Sequence, residues 1–192
     1  VGGIVMNNAS GMNCGTHANS DKELLSAKIV LADGTRLNTG DPESRTTFEK
    51  NHTPFLNKII EIRDEIRNDN ELSDRIRKKY SIKNVTGLNL LPFVIYDDPF
   101  DIIAHLMVGS EGTLAFLSEV TMKTEHDYPY SASAMLYFSN IKDACRAVVA
   151  MKPGPVFSAE LLDKKSLASV NDTTGTGLTA VLTETKADTP EE

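Results

Sequence analysis

The sequence predicts an α+β fold in which a hairpin and a helical span precede a second, smaller layer of strands and helices. Ala32-Asp33-Gly34-Thr35 is a two-residue hairpin signal that separates two strand candidates. Apolar residues recur at helical spacing from Asp41 to Tyr80. From residue 130 onward, strand and helix patterns alternate in the order β-α-β-α-β, which is typical of an α+β layer.

The amino-acid composition limits the classes of protein to which the chain can belong. The chain has 192 residues, a formal charge of −7, 40% hydrophobic and 24% charged residues, which is typical of an ordinary globular protein. A net negative charge does not favour binding to the negatively charged phosphate backbone, so nucleic acid is not an expected partner. No apolar run approaches the ~18 residues of a membrane helix, so no transmembrane segment is predicted. Cys14 and Cys145 match no Cys-x-x-Cys zinc or redox spacing, and two cysteines are too few for a disulfide scaffold. The expected location is cytoplasmic, with attachment to the inner membrane face left open.

The first elements follow from local patterns. Residues 1–20 are dense in Gly, Asn, Ser and Ala and predict a backbone-dominated loop. Residues 24–31 and 36–39 predict the two strands of the hairpin. The helical span should break at Asn68-Asp69-Asn70, which supplies a capping side chain for a second helix over about 71–79. The expected buried stripe of the first helix is Phe55, Leu56, Ile59, Ile60 and Ile66.

A short helix and a strand complete the first part. Asp98-Pro99-Phe100-Asp101 predicts a helix over Ile102–Met107 with Asp101 as its N-cap, ending at Gly109. Residues 113–124 are rich in apolar and β-branched residues and predict a strand.

A composition shift near Glu125–Pro129 predicts a domain boundary. The second part is expected to contain strands at 133–138, 156–161 and 178–183 and helices at 141–151 and 164–170. Either Ser139 or Asn140 should cap the first of these helices. This order suggests the opening half of a ferredoxin-like or related layer.

Three glycine-bearing segments could carry chemistry. They are Gly2-Gly3 with Asn7-Asn8-Ala9-Ser10-Gly11, then Gly15-Thr16-His17, and Gly109-Ser110-Glu111-Gly112-Thr113. Small side chains let backbone N–H groups approach a phosphate or a flavin edge closely. Singly, each segment could equally be an ordinary turn. None is a Walker motif or a Gly-x-Gly-x-x-Gly fingerprint.

Taken in order, these segments resemble a known family. Residues 2–11, the Ala32-Asp33-Gly34 hairpin, residues 83–90 and residues 105–114 resemble FAD-linked oxidoreductases of the vanillyl-alcohol-oxidase and p-cresol-methylhydroxylase type. Within that type they are most similar to the D-lactate and D-2-hydroxyglutarate dehydrogenase branch, especially large bacterial proteins that fuse the flavin unit to an iron-sulfur module. Leu88 and Ala115 depart from the family's usual aromatic residue and glycine.

The resemblance implies a split FAD-binding domain. Residues 1–125 would be its second lobe, with a helical insertion at about 41–80, and 130–192 would begin the substrate or cap domain. It implies that the chain is a fragment, because the first FAD lobe and the cap's metal- and substrate-holding segment would lie outside it. The implied cofactor-binding residues are Asn8, Ala9, Ser10, Gly11, Gly15, Thr16, Gly109, Ser110, Glu111 and Gly112.

Other polar residues have weaker functional readings. Glu111 could contact the cofactor or be a buried carboxylate that pins its loop. His105 lies on a short apolar helix and is expected to be a satisfied core histidine rather than a base. Cys14 and His17 have too few partners for a metal site, so no metal site is predicted within this chain. Catalytic residues are expected outside it.

The resemblance implies that the parent protein oxidises a small D-2-hydroxy acid by hydride transfer to FAD. Electrons would pass to an iron-sulfur centre or a quinone, while this chain alone should be inactive. Two alternatives stay open: a non-catalytic structural or binding module, and an FAD-dependent alcohol or sugar-lactone oxidase that uses O₂. A layer with an unpaired strand edge also predicts self-association.

Overall fold

The computed structural model describes residues 1–11, 14, 18–82, 84, 87–170 and 178–191, and it confirms the α+β class. By their contacts the residues form two units: one contains Val1–Ser10 and Thr16–Glu125, the other Gly11–Gly15 and His126–Glu192. The elements of the first unit are α1 (Gly2–Met6), α2 (Ser20–Glu23), β1 (Leu24–Val30), β2 (Arg36–Asn38), α3 (Pro42–Asn68), α4 (Asn70–Lys79), α5 (Leu91–Ile95), α6 (Pro99–Leu106) and β3 (Phe116–Met122). Those of the second are β4 (Tyr130–Phe138), α7 (Ile141–Met151), β5 (Val156–Leu162), α8 (Lys164–Ser169) and β6 (Thr179–Ala187).

The predicted hairpin is confirmed in the first unit. Strands β1 and β2 are antiparallel, with Ile29 opposite Leu37, and β3 pairs antiparallel with the other edge of β1. Gly34 supplies the positive φ (+86°) of the turn, and the Asp33 side chain accepts a hydrogen bond from the Thr35 N–H. Ile29 and Leu37 are both fully buried, so the sheet turns one face to the helices of its unit.

The helical span contains two consecutive helices that share a capping residue. Asp41 caps α3 by accepting from the Glu43 N–H. Asp69 ends α3 and caps α4 by accepting from the Leu72 N–H, so the predicted break is confirmed. Inside α3, His52 leaves helical geometry (φ −131°) two residues before Pro54. Proline removes a helix hydrogen bond and clashes with the preceding turn, which accounts for a kink there.

The buried stripe of α3 is narrower than predicted. Leu56, Ile59 and Ile66 are buried as expected, but Phe55 is 41% exposed and Ile60 is only partly buried. Successive helical residues point about 100° apart, so neighbours such as Phe55 and Leu56 cannot both face the core.

Arginines of α3 hold the connection between α5 and α6. Arg67 donates from Nε to the Phe93 carbonyl at 2.9 Å and from Nη2 to the Tyr96 carbonyl at 2.7 Å. Arg45 forms an ion pair with Asp98. The two Arg67 hydrogen bonds satisfy carbonyl groups at the end of α5, a helix that the sequence did not predict.

The expected start of α6 was wrong. Asp98, not Asp101, is its N-cap, because the Asp98 side chain accepts from the Phe100 N–H at 2.9 Å. Proline is favoured at the first helical position, so the residue before Pro99 takes the cap. β3 also begins later than predicted, at Phe116, because the Thr113 N–H donates to the Ser110 carbonyl and closes a turn there.

The prediction that residues 1–20 form only a loop was wrong in part. Residues Gly2–Met6 form α1, and α2 begins at Ser20. A Cβ added to Gly2 would lie 3.1 Å from the Leu117 carbonyl oxygen. Glycine here therefore serves close packing of α1 on β3 rather than a loop conformation.

The second unit is a split β-α-β arrangement. β6 lies between β4 and β5 and is antiparallel to both, so β4 and β5 run parallel on either side of it. Helix α7 connects them and is capped by Asn140, whose side chain accepts from the Asp143 N–H. β4 begins at Tyr130 and β6 ends at Ala187, beyond the predicted limits, because the ladder extends to the pair Tyr130 and Ala187.

Neither unit contains a candidate membrane span. Within the described ranges, every helix falls short of the length or the apolarity that crossing a bilayer requires.

Candidate functional site

The first glycine segment leaves α1 through a left-handed residue. Asn8 has φ +52°, a conformation that asparagine tolerates better than most residues, and it is buried. Its Nδ2 donates to the Asn84 carbonyl at 3.0 Å, and its Oδ1 accepts from the Asp21 N–H at 3.3 Å. The carbonyl of Ala9 accepts from the Ser20 hydroxyl at 3.4 Å. The Asn8 side chain thus fixes the course of this segment against α2.

The third glycine segment is a tight turn after α6. Gly109, Glu111 and Gly112 all have positive φ (+80°, +52° and +74°). A Cβ on Gly109 would lie 2.8 Å from the Gly87 carbonyl oxygen, so only glycine fits there. Ser110 is 1% exposed and donates its hydroxyl to the Met107 carbonyl at 2.8 Å.

Glu111 joins the first and third segments, which are called the two glycine segments below. Its backbone N–H donates to the Met6 carbonyl at 3.0 Å, and its carboxylate accepts from Asn7 Nδ2 at 2.7 Å. The carboxylate therefore does pin the loop, but Glu111 is exposed rather than buried. The segments that the resemblance assigns to two walls of one site are thus neighbours in the first unit.

A cavity of about 430 Å³ lies between α1 and the turn. Gly2, Gly3 and Met6 line one side, and Gly112 and Phe116 line the other. Nothing lies within 4 Å of a Cβ added to Gly3, and Phe116 is 68% exposed. The cavity is therefore open and is lined mostly by apolar side chains and glycine backbone.

Polar groups with no partner lie in both segments. The Ser10 hydroxyl oxygen is buried and has no hydrogen-bond partner among the described residues. Within the same part of the chain, the N–H groups of Ser10, Gly109 and Gly112 have no acceptor. Such groups are the kind that bind phosphate or flavin oxygens.

The structure does not place the other predicted cofactor-binding residues beside the two glycine segments. Gly15 and Thr16, together with His17, lie outside the described residues. Gly11 groups with the second unit by its contacts. In the described ranges, no set of three or more His, Cys, Asp or Glu side chains is arranged to hold a metal ion.

His105 is a satisfied buried histidine, as predicted, and it has partners that the sequence did not suggest. Its Nδ1 lies 2.8 Å from the Asp101 carbonyl oxygen, and its Nε2 lies 3.0 Å from the Tyr96 hydroxyl. Burial lowers the pKa of His105 and raises the pKa of Tyr96. The negative charge of Asp21 raises the pKa of both residues. No sequence spacing links Asp21, Tyr96 and His105, because three different elements bring them together.

A second cavity lies away from the glycine segments. About 610 Å³ in volume, it is lined by residues of the hairpin and of the start of α3, including Arg36, Asp41 and Ser44. None of the residues in the two joined segments lines it, so it does not extend the candidate site.

Comparison with known proteins bears on the family. No protein-family model matches the chain. Over 79 residues the chain is 33% identical to a protein of Arabidopsis thaliana described as D-lactate dehydrogenase (cytochrome), mitochondrial, a match that covers 40% of this chain. The chain spans 14% of that relative's length. The similarity agrees with the resemblance of the sequence to FAD-linked oxidoreductases and supports it at that coarse level.

Proposed function

We propose that this chain supplies part of the FAD site of a flavin-dependent oxidoreductase. The main observation that supports this proposal is that Glu111 holds the two glycine segments together beside an open cavity. The residues present fit the cofactor, because the unpartnered Ser10 hydroxyl and the N–H groups of Ser10, Gly109 and Gly112 can donate to phosphate or flavin oxygens.

The residues proposed to hold FAD act by binding and orientation. The Asn8, Ala9 and Ser10 backbone would form one wall, and Gly109 to Gly112 the second. Gly11, Gly15 and Thr16 remain part of the proposed set. Bound FAD supplies hydride acceptance from a carbon–hydrogen bond of the substrate. The lining of Gly2, Gly3 and Phe116 would exclude water from an apolar part of the cofactor, which strengthens the polar contacts beside it.

We extend the proposal to the parent activity: oxidation of a small D-2-hydroxy acid of the D-lactate or D-2-hydroxyglutarate type. The name of the Arabidopsis relative supports it, since that protein is described as D-lactate dehydrogenase (cytochrome), mitochondrial. The electron acceptor proposed here is an iron-sulfur centre or a quinone. The chain would be one part of a longer cytoplasmic flavoprotein whose residues 1–125 form a lobe of the FAD domain and whose residues 130–192 begin the cap domain. That parent would also hold any divalent metal.

The decisive test uses the protein as its cell makes it. An antibody raised against this chain would purify the polypeptide that contains it, and a visible spectrum would follow. We expect a flavin band that bleaches when D-lactate or D-2-hydroxyglutarate is added without oxygen. Absence of a flavin band, even after incubation with FAD, would refute the proposal in favour of a structural module. A flavin band with stoichiometric hydrogen peroxide in air would favour the alcohol or lactone oxidase.

A matched pair of serine variants tests the site itself. In the same polypeptide, Ser10→Ala should weaken FAD binding about tenfold, the effect of losing one hydrogen bond to a charged group. Ser118→Ala is the control, because the Ser118 hydroxyl already donates to the Lys28 carbonyl at 2.9 Å on the neighbouring strand β1. Equal affinity of both variants would remove Ser10 from the site.

We also propose that this chain associates with itself through the second unit. Among the described strands, β4 pairs with β6 alone, and it has no charged residue to protect its edge. Met135 and Leu136 are 39% and 36% exposed on it. Unprotected edges of this kind recruit another strand. Light scattering should show species heavier than the 21.0 kDa chain, and a clean monomer would contradict the idea.

A further inference from the structure

The cluster of His105, Tyr96 and Asp21 has no role in the proposed cofactor contacts, yet it lies between the two glycine segments. We propose that it is a proton-binding site through which the protonation state of His105 is linked to the conformation of both segments. The proposal does not rest on FAD, since every contact that carries it belongs to the first unit of this chain.

The hydrogen bonds determine which ring nitrogen carries the proton. A backbone carbonyl can only accept, so the Asp101 carbonyl 2.8 Å from Nδ1 requires an Nδ1–H. In the neutral ring Nε2 is then the acceptor, and the Tyr96 hydroxyl donates to it at 3.0 Å. The two rings also stack, with centroids 4.2 Å apart. Tyr96 and the Asp101 carbonyl therefore fix the tautomer of the neutral His105 ring.

Two kinds of environmental effect change the pKa of His105 in opposite directions. Burial at 6% exposure is the main cause that lowers the pKa of His105. The Asp101 backbone and carboxylate, the Leu24 backbone and the Asp21 carboxylate act in the opposite direction. Asp101 belongs to the same helix, whereas Asp21 approaches from α2 and Leu24 from the start of β1. Protonation thus changes the interaction of His105 with three elements.

The Asp21 carboxylate can interact with the positive charge that His105 gains on protonation. Its Oδ1 is buried and lacks a hydrogen-bond partner among the described residues, while its Oδ2 lies 3.3 Å from Lys22 Nζ. A buried carboxylate oxygen without a donor is costly, and a nearby imidazolium would reduce that cost. A proton on His105 therefore attracts the carboxylate of Asp21.

Each end of the cluster is bonded to one glycine segment. The His105 carbonyl accepts from the Val108 N–H at 3.2 Å, directly before Gly109. The Asp21 N–H donates to Asn8 Oδ1 at 3.3 Å. Movement of α6 toward α2 would therefore displace the turn at Gly109 and the left-handed Asn8 together. Packed elements transmit such shifts because they have few voids to absorb them.

The test is a pH titration of the full chain followed by nuclear magnetic resonance. The ring signals of His105 should titrate with a midpoint below the ordinary 6.5. The amide signals of Asn8, Gly109 and Gly112 should shift with that same midpoint. The amide signal of Val181, buried in the second unit, is the internal reference and should not follow that midpoint. Amide signals of Asn8, Gly109 and Gly112 that do not move, or that follow a different midpoint, would overturn the proposal.

Two variants test the assignment. Tyr96→Phe removes the hydroxyl that bonds Nε2 and should change the midpoint by about half a pH unit. Asp21→Asn removes the attracting charge and should lower it by a similar amount. Tyr80→Phe is the control, because the Tyr80 hydroxyl donates to the Leu88 carbonyl away from the cluster. If either variant fails to fold, the other still decides, since a midpoint unchanged in Asp21→Asn or in Tyr96→Phe refutes the assignment.

Discussion

Gly109 gives the sharpest test of the turn after α6. Its φ of +80° is a conformation that costs a residue with a Cβ about 1–2 kcal/mol. The added Cβ would also lie 2.8 Å from the Gly87 carbonyl oxygen, and relief of such an overlap typically costs about 1–3 kcal/mol. Gly109→Ala should therefore destabilise the first unit by about 2–5 kcal/mol.

Gly34 supplies the matched control. It has a similar φ of +86°, but a Cβ there would meet nothing within 4 Å. Gly34→Ala should thus cost only the conformational part, about 1–2 kcal/mol. The gain from a less flexible unfolded chain is the same in both variants and cancels in the comparison. The difference between them isolates the close approach of Gly109 to Gly87.

The assay must report on the first unit alone, because two units need not unfold together. Methyl signals of Ile102 and Val108, both 0% exposed, would be followed through a urea titration, with Val181 as the reporter of the second unit. The expected result is a larger loss for Gly109→Ala than for Gly34→Ala, with Val181 unchanged. Equal losses would refute the inference that the Gly87 carbonyl excludes a side chain at Gly109.

Three further predictions follow from contacts described above. Asn140→Ala should destabilise the second unit by about 1 kcal/mol through loss of the α7 cap, whereas Ser139→Ala should have little effect, as measured by urea unfolding followed at a core methyl group. Arg67→Lys should cost the first unit about 1–2 kcal/mol because lysine cannot reach two carbonyl groups at once, while Arg77→Lys, at an exposed pair with Asp74, should be nearly neutral in the same measurement. The pKa of His105 is lower in the folded chain than its ordinary 6.5, so the unfolded chain binds more protons just below that pH. The first unit should therefore be fully stable above pH 6.5 and lose stability as the pH falls below it. A urea midpoint that stays constant between about pH 7 and 5 would contradict this direction.

Elements with a strong local signal were predictable from the sequence. The Asp33-Gly34 turn, the break at Asp69 and the limits of α7 each depend on a turn or cap residue beside a periodic pattern, and the structure confirms all three. Local chemistry decides these features, so no knowledge of distant contacts was needed.

Tertiary contacts decide the features that were missed. Gly2 and Gly3 predict a loop by propensity, but α1 forms because Gly2 allows the helix to approach β3. Helix α5 is short, and Arg67 satisfies carbonyls at its end from a distant part of the chain. The sequence reading of Asp101 as a cap failed because Asp98 and Asp101 both resemble caps, and only Pro99 distinguishes them.

The candidate site shows the same division. That Gly109 and Asn8 allow left-handed backbone could be read from residue type. That Glu111 binds Asn7 across the fold, and that Asp21 lies beside His105, depends on elements far apart in sequence. The family resemblance marked the two glycine segments but not the contacts that join them.

The strand order of the second unit has a consequence for synthesis on the ribosome. β4 and β5 each pair only with β6 among the described strands, and β6 is the last of the three to be made. The ladders between the described strands of this unit therefore cannot begin until Thr179 and the following residues of β6 have left the exit tunnel, whereas the first hairpin closes after Asn38. Because non-local strand pairing is slow, the uncharged β4 stays without its partner for the longest time. A nascent chain stalled before β6 should therefore be the species most dependent on chaperones.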